Sequence, residues 1–289
     1  LFLYISIMKL GIIGGGFVGK ATKLLKCEGV ETMTYDIVDS LCEPLGTTMK
    51  DLCVCDVIFI SVPTPMKKNG SCHLDIIERV INLLKTYVNF NEKLVVLRST
   101  VPVGTSLKYG CYFMPEFLTE KNYKYDFVHN RHWIFGLKGN NQDIKFKNTM
   151  TKLINTCVEK GALRSNEVRF VYNKEAEMIK LFRNNFLAVK VSFCNEMYKY
   201  CEAKHINYEN VAELACLDER IGNSHINVPG HDGRFGYGGT CFPKDTHNLY
   251  YEMCKSGVDS RIIRGAIERN EQIDRVERDW NNSKGRAVV

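Results

Sequence analysis

No stretch of the 289 residues approaches the ~20 consecutive apolar side chains that cross a bilayer as a helix, so nothing in the chain reads as a membrane span. Leu1 to Ile7 are apolar, but no basic region precedes them and no small-residue cleavage site follows. They make a poor secretory signal and are expected to be extra sequence ahead of a start at Met8. None of the seven histidines falls into a metal-binding spacing with cysteines or carboxylates, so no metal is expected. The twelve cysteines are scattered, with Cys53-x-Cys55 the closest pair. That spacing argues against a disulfide scaffold and for a reducing, cytoplasmic compartment. Basic residues are also spread along the chain, and the net charge of +6 gives no case for nucleic acid. It suits anionic small ligands such as dinucleotides and nucleotide sugars.

What is present reads as a globular enzyme: 45% hydrophobic and 25% charged residues in a chain long enough for two domains. Met8 to Ile13 is an apolar strand running into Gly14-x-Gly16-x-x-Gly19, then into a helix expected over Lys20 to Cys27, then into a second strand, Glu31 to Tyr35, ending at Asp36. Glycines at those positions allow a tight turn and close approach of a pyrophosphate to a helix N-terminus. Gly14, Gly16, Phe17, Val18 and Gly19 are therefore candidate cofactor contacts. An acid after strand two hydrogen-bonds a ribose 2′-hydroxyl and repels a 2′-phosphate, so Asp36 favours NAD over NADP. The alternative is a glycine turn that only packs helix on strand.

The chain then alternates strand and helix, as a doubly wound parallel sheet does. Strands are expected at Asp56 to Val62, Lys93 to Leu97, Gly110 to Phe113, Trp133 to Leu137 and Glu167 to Tyr172, with a helix from Asp75 to Val88. Ligands gather at the carboxyl ends of such strands. That places Pro63, Thr64, Ser99, Thr100 and Glu116 around cofactor and substrate, although each alone could be turn chemistry. Lys174 to Ala203 reads as one long helix with apolar residues on more than one side, a spine between domains or a dimer contact. Lys180 and Asn184 stand at i and i+4 on it. On a surface they would be a solvated pair; facing the cysteine loop described next, they would supply a cation and an amide to a developing oxyanion.

That loop is Gly238-Gly239-Thr240-Cys241-Phe242-Pro243-Lys244-Asp245. It sets Cys241 on a glycine turn before a helix, with Pro243 in the first helical turn and Asp245 four residues on. Unpaired amides and the positive end of the helix dipole favour a thiolate there. The competing reading is a small buried hydrophobe at a helix start.

Together these segments resemble the nucleotide-sugar 6-dehydrogenases. The matching stretches are Gly14 to Gly19, Val62-Pro63-Thr64-Pro65, Ser99 to Gly104, Pro115-Glu116-Phe117-Leu118, Glu177 to Lys180 with Asn184, Asn195-Glu196, Asp218 to Gly222 and Gly238 to Asp245. The resemblance implies a Rossmann-type NAD domain over 8–173 and a helical dimerisation and catalytic domain over 174–280. It also implies oxidation of a sugar C6 alcohol to the acid, with UDP-glucose the foremost substrate, two NAD consumed and Cys241 holding a thiohemiacetal and then a thioester. Lys180 and Asn184 would stabilise oxyanions, Asp245 would assist proton transfer, and Thr100 with Glu120 would handle the catalytic water. Glu116, Phe117, Leu118, Lys180, Asn184, Arg220 and Gly238 would contact the substrate, Arg220 across a homodimer. Family members continue into a further nucleotide-binding domain, to which a helix over Ile262 to Trp280 would lead, whereas this chain ends at Val289. A fragment, a lost activity or a separately supplied domain would each account for that. Two other readings stand beside it: a 3-hydroxyacid or 6-phosphogluconate-type dehydrogenase, which needs no nucleophilic cysteine, and an inactive dinucleotide-binding remnant.

Overall fold

The computed structural model describes residues 7–289, so the expected apolar lead ahead of Met8 lies, but for Ile7, outside the described residues. The chain divides into two compact units. One holds the chain up to Pro63 with Leu74–Lys180, the other Thr64–His73 with Leu181–Val289.

The first unit is built on a seven-stranded sheet. Along the chain it contains β1 (Met8–Ile13), α1 (Phe17–Thr22), β2 (Val30–Tyr35), β3 (Val57–Ile60), α2 (Asp75–Lys85), β4 (Leu94–Leu97) and α3 (Thr105–Tyr109). There follow β5 (Tyr112–Phe113), α4 (Tyr123–Val128), β6 (Trp133–Leu137), α5 (Gln142–Glu159) and β7 (Val168–Tyr172). The strand order is β2-β1-β3-β4-β5-β6-β7. Strands β1 to β5 are parallel where they pair, so their carboxyl ends share one edge. β6 is antiparallel to β5 and parallel to β7, so the expected doubly wound parallel sheet carries one reversal.

Residues alternate faces along a strand, and both faces here are covered. Phe59 and Val96 join one core with Tyr112, Phe146 and Leu153. Ile58, Ile60, Val95 and Leu97 join another with Ile77 and Ile81 of α2. All four residues of β3 are fully buried, each stabilising the fold by roughly 1.5–3 kcal/mol.

Several expected boundaries move. The first helix begins at Phe17 rather than Lys20 and tightens into a 3-10 turn at Lys23–Leu25. The strand expected from Gly110 is confined to Tyr112–Phe113, because α3 occupies the residues before it. Glu177 explains α3: its carboxylate accepts from the amides of Gly104 and Ser106 at 2.5 and 2.7 Å, satisfying donors that a short helix leaves open.

The division between units falls within α6 (Asn173–Ala203). The second unit continues with α7 (Tyr208–Ala215), α8 (Phe242–Lys255) and α9 (Arg261–Arg269). Cys194, Cys201, Tyr208 and Val228 form its small core. The helix expected over Ile262 to Trp280 is not continuous: α9 ends at Arg269 and gives way to a wider π turn at Asn270–Asp274 and a 3-10 turn at Asp279–Asn282. The Asn270 side chain clasps the Tyr237 backbone from both sides, at 2.8 and 2.9 Å. Arg275 is held by Asp232 and Asp279. Both anchors pull on the stretch that a straight helix would have to cross. No helix among the described residues is long and apolar enough to cross a membrane.

Candidate active site

In the sheet unit, the turn after β1 is shaped by backbone crowding. Gly14 has φ +99°, and a Cβ there would collide with the Ser61 carbonyl; one on Gly19 would collide with the Gly14 carbonyl. Nothing stands within 4 Å of a Cβ position on Gly16, which caps α1. The first and third glycines therefore close the turn, while the second leaves its face open, the arrangement a pyrophosphate needs. Asp36, after β2, already touches this turn, its Oδ2 accepting from the Gly15 amide at 2.6 Å. These residues fit the adenosine half of a dinucleotide. Phe17 and Val18 are both half-buried at the start of α1.

The same edge collects the ends of β3, β4 and β5. Ser99 Oγ donates to the Val62 carbonyl at 2.7 Å and accepts from the Val62 amide at 3.0 Å, locking the two loops together. Pro63 is exposed and Thr100 buried. Beyond β5, Glu116 is 5% exposed and its Oε1 lies 2.6 Å from Lys180 Nζ, itself 3% exposed. The other carboxylate oxygen of Glu116 accepts from the Leu118 amide at 2.9 Å. Burial works against the charge on Glu116, but Lys180, the Leu118 amide and Arg98 outweigh it and hold the carboxyl below its ordinary range. Phe117 lies with its ring centre 6.0 Å from Lys180 Nζ. Glu120 is exposed, in the turn before α4.

In the helical unit, Cys241 is the N-cap of α8, and Pro243 lies in that helix's first turn. The Cys241 carbonyl accepts from the Asp245 amide at 3.0 Å. Asp245 is 1% exposed and receives two side-chain donors, Asn184 Nδ2 at 2.6 Å and Lys244 Nζ at 2.6 Å. Asn185 adds a contact to the Asp245 carbonyl at 3.3 Å. Burial opposes the charge of Lys244, yet Asp245 and the thiols of Cys241 and Cys72 raise its pKa above the usual lysine value. Thr64 is buried in this unit, on the Thr64–His73 segment. Gly238 packs on Arg275, whose guanidinium a Cβ would strike. Arg220 stands apart from this network, its side chain 89% exposed and forked onto Asp218.

Lys180 and Asn184 are thus both buried and engaged, which sets aside the solvated-pair reading. Sequence reasoning gave no role to Lys244, Asn185, Arg98 or Arg275. Lys244 was discoverable, as a cation adjoining the expected acid; the other three are brought into place by residues distant in sequence. None of the twelve cysteines is in a disulfide.

The sequence matches the model of the UDP-glucose/GDP-mannose dehydrogenase family twice: its NAD binding domain over residues 43–158 and its central domain over residues 174–272. The chain belongs to this family. Among curated relatives, the UDP-glucose 6-dehydrogenase YwqF of Bacillus subtilis is 31% identical over 82% of this chain and 53% of its own length. A putative UDP-glucose 6-dehydrogenase of the same organism, YtcA, is 28% identical over 75% of this chain and 50% of its own. The chain spans about half the length of these relatives. In fold, it resembles a UDP-glucose dehydrogenase from Pyrobaculum islandicum, with TM-score 0.78 and 24% identity over 94% of this chain and 69% of that one. It also resembles a 3-hydroxyisobutyrate dehydrogenase from Mycobacterium tuberculosis, with TM-score 0.66 and 13% identity over 92% and 93% of the two chains. As a member of the family, the chain carries an NAD-binding domain.

Proposed function

We propose that this chain performs the NAD-dependent oxidation of the C6 primary alcohol of a nucleotide sugar to the carboxylate, with UDP-glucose as the foremost substrate. The observation that carries the reading is Cys241 at the N-terminus of α8 beside buried Asp245 and Asn184 and the half-buried Lys244 that pairs with Asp245. Gly14, Gly16, Gly19 and Asp36 would hold NAD, which when bound accepts the hydride at each oxidation. Loss of the first hydride and a proton converts the alcohol to an aldehyde. The Cys241 thiolate then adds to the aldehyde carbon, forming a C–S bond and an oxyanion that becomes a thiohemiacetal on protonation. Loss of a second hydride and a proton gives the thioester, which water cleaves to the acid, returning the thiol.

Lys180 and Asn184, one turn apart on α6, would stabilise the oxyanions. Asp245 would pass protons, Thr100 and Glu120 would position the water, and Glu116, Phe117, Leu118 and Gly238 would line the substrate. Arg220, exposed and away from the buried network, suits a contact supplied to a second copy. A dimer has support of its own, because Phe182, Phe186, Phe193 and Tyr200 leave an aromatic stripe on the outer side of α6, each 58–61% exposed. A cytoplasmic setting goes with the proposal, since twelve free cysteines suit a reducing compartment.

The 3-hydroxyacid dehydrogenase alternative shares the fold likeness but has no use for Cys241. Incubating the chain with UDP-glucose and NAD, and following NADH release and acid formation, tests the reading. Cys241→Ser is expected to stop acid formation after the first oxidation. Acid production unchanged by that substitution would exclude the cysteine route. Sedimentation is expected to find a dimer.

A further inference from the structure

Arg98 is the first residue after β4, and its amide donates to the Ile60 carbonyl at 2.8 Å. Its side chain is among the largest fully buried in the chain. One guanidinium nitrogen donates to Thr22 Oγ1 on α1, and that hydroxyl donates in turn to the Val18 carbonyl at 2.8 Å, inside the helix that begins at the glycine turn. The guanidinium carbon stands 5.5 Å from the centre of the Phe127 ring. Its Nε has no hydrogen-bond partner among the described residues. Arg98 and Glu116 line one small cavity with Phe117, Leu118, Asp126 and His132.

The charges around that cavity are otherwise committed. Asp126 accepts from Thr119 through both amide and hydroxyl, at 2.7 and 2.6 Å. His132 lies 3.1 Å from Glu167. Glu116 pairs with Lys180 and shares the cavity with a second cation, Arg98. A guanidinium stripped of water and given a neutral hydroxyl and a ring face is costly, and an apolar side chain of similar volume would fill the space at lower cost. Its presence there calls for a task that a methionine could not perform.

We propose that Arg98, anchored through Thr22 to the helix at the glycine turn, is a positioning residue whose charge, placed on the same cavity as Glu116, acts beside Lys180 to hold that carboxylate as an acceptor. Glu116 then acts as a fixed acceptor rather than a proton donor, and the filling of the glycine turn is linked to the carboxylate expected to face the sugar. This deepens the function proposed above and rests on it for the role of Glu116.

The test uses the full chain, with glutamate labelled at the carboxyl carbon. The Glu116 resonance is assigned by its loss in Glu116→Gln and titrated. Arg98→Met is expected to raise the titration midpoint by about one pH unit, a tenfold gain in proton affinity, while Arg98→Lys stays near the wild-type midpoint. Arg98→Gln serves if the methionine variant fails to fold. A midpoint unmoved in a folded, charge-free variant would overturn the charge-holding role, since a merely structural arginine would shift stability alone. For the tie, Glu116→Gln is expected to change NADH affinity about threefold in the wild-type background and not in Thr22→Val. Equal effects in both backgrounds would overturn the link to α1. If the wild-type chain failed to bind NADH, the functional reading and the link would fall together, while the titration would still decide the charge-holding role.

Discussion

The glycine turn and the cysteine loop solve the same problem, fixing a short irregular segment at a helix N-terminus, by different means. Around Gly14 and Gly19 the shape is set by backbone against backbone, with no room for a side chain. Around Cys241 it is set by side chains: Asn184 from α6 and the neighbouring Lys244 on Asp245, and Arg275 behind Gly238, itself clamped by Asp232 and Asp279. The first device is rigid and intolerant of any added atom. The second can be loosened one hydrogen bond at a time, which would suit the chemistry proposed at the Cys241 sulfur.

Gly19→Ala should therefore be among the most damaging single changes, since its Cβ would overlap the Gly14 carbonyl, main chain that cannot swing aside. A loss on the order of 3 kcal/mol or more is expected, together with loss of NADH binding. Denaturant unfolding and fluorescence titration would check this. Gly238→Ala, aimed at the other device, meets the end of a side chain rather than backbone. The guanidinium can shift if it gives up part of its hold on Asp232 or Asp279, so a cost of about 1–2 kcal/mol is expected. If Gly238→Ala proved as disruptive as Gly19→Ala, the contrast between the two devices would be wrong.

The buried charges sharpen the comparison. Removing Lys180 by Lys180→Met leaves the Glu116 carboxylate buried with the Leu118 amide and a more distant arginine, at an expected cost of roughly 3–5 kcal/mol. Replacing the acid by Glu116→Gln should cost less near neutrality and should change the shape of the acid limb. The Glu116 carboxyl is held below its ordinary range in the folded chain, Lys180 outweighing the effect of burial. Its contribution to stability is thus complete above the unfolded pKa and disappears as pH falls through the lower folded value. Thermal melts from pH 6 down to about 3 should show a steeper acid loss for the wild type than for Glu116→Gln. Parallel curves would mean that Glu116 does not titrate in that window.

The same contrast explains what could be read from the residues alone. Backbone sterics leave a local trace, so Gly14-x-Gly16-x-x-Gly19 and the buried β-branched strands announced the sheet. α5 escaped notice because its apolar contacts, Phe146, Met150, Leu153, Ile154 and Cys157, are interleaved with lysine, asparagine and threonine. The break after Arg269 was illegible for another reason. Asn270 and Arg275 sit in a stretch with helical spacing, and only their partners Tyr237, Asp232 and Asp279 reveal why the helix stops. Cys241 was legible as a helix-capping residue. The engagement of Asn184 with Asp245, 61 residues away, was not.

Arg220 offers the smallest expected effect on folding and so the cleanest probe of function. Its fork on Asp218 spans two residues of an exposed loop, and solvent screens such a pair until it contributes little. Both partners gain from the contact, Asp218 moving down and Arg220 up from their usual pKa values, but neither is buried, so those shifts carry no weight for stability. Arg220→Ala should leave the melting temperature of the chain unchanged. If Arg220 meets the nucleotide part of a substrate bound to a second copy, the same variant should weaken binding of UDP-glucose and leave NADH binding intact. Mixing Arg220→Ala with Cys241→Ser chains would then separate the two copies' contributions. If each site takes Cys241 from one chain and Arg220 from the other, every mixed dimer has one intact and one doubly damaged site, so some acid formation should return on mixing. Failure of mixed dimers to regain any activity, with both parents folded and dimeric, would place Arg220 and Cys241 in the same copy's site.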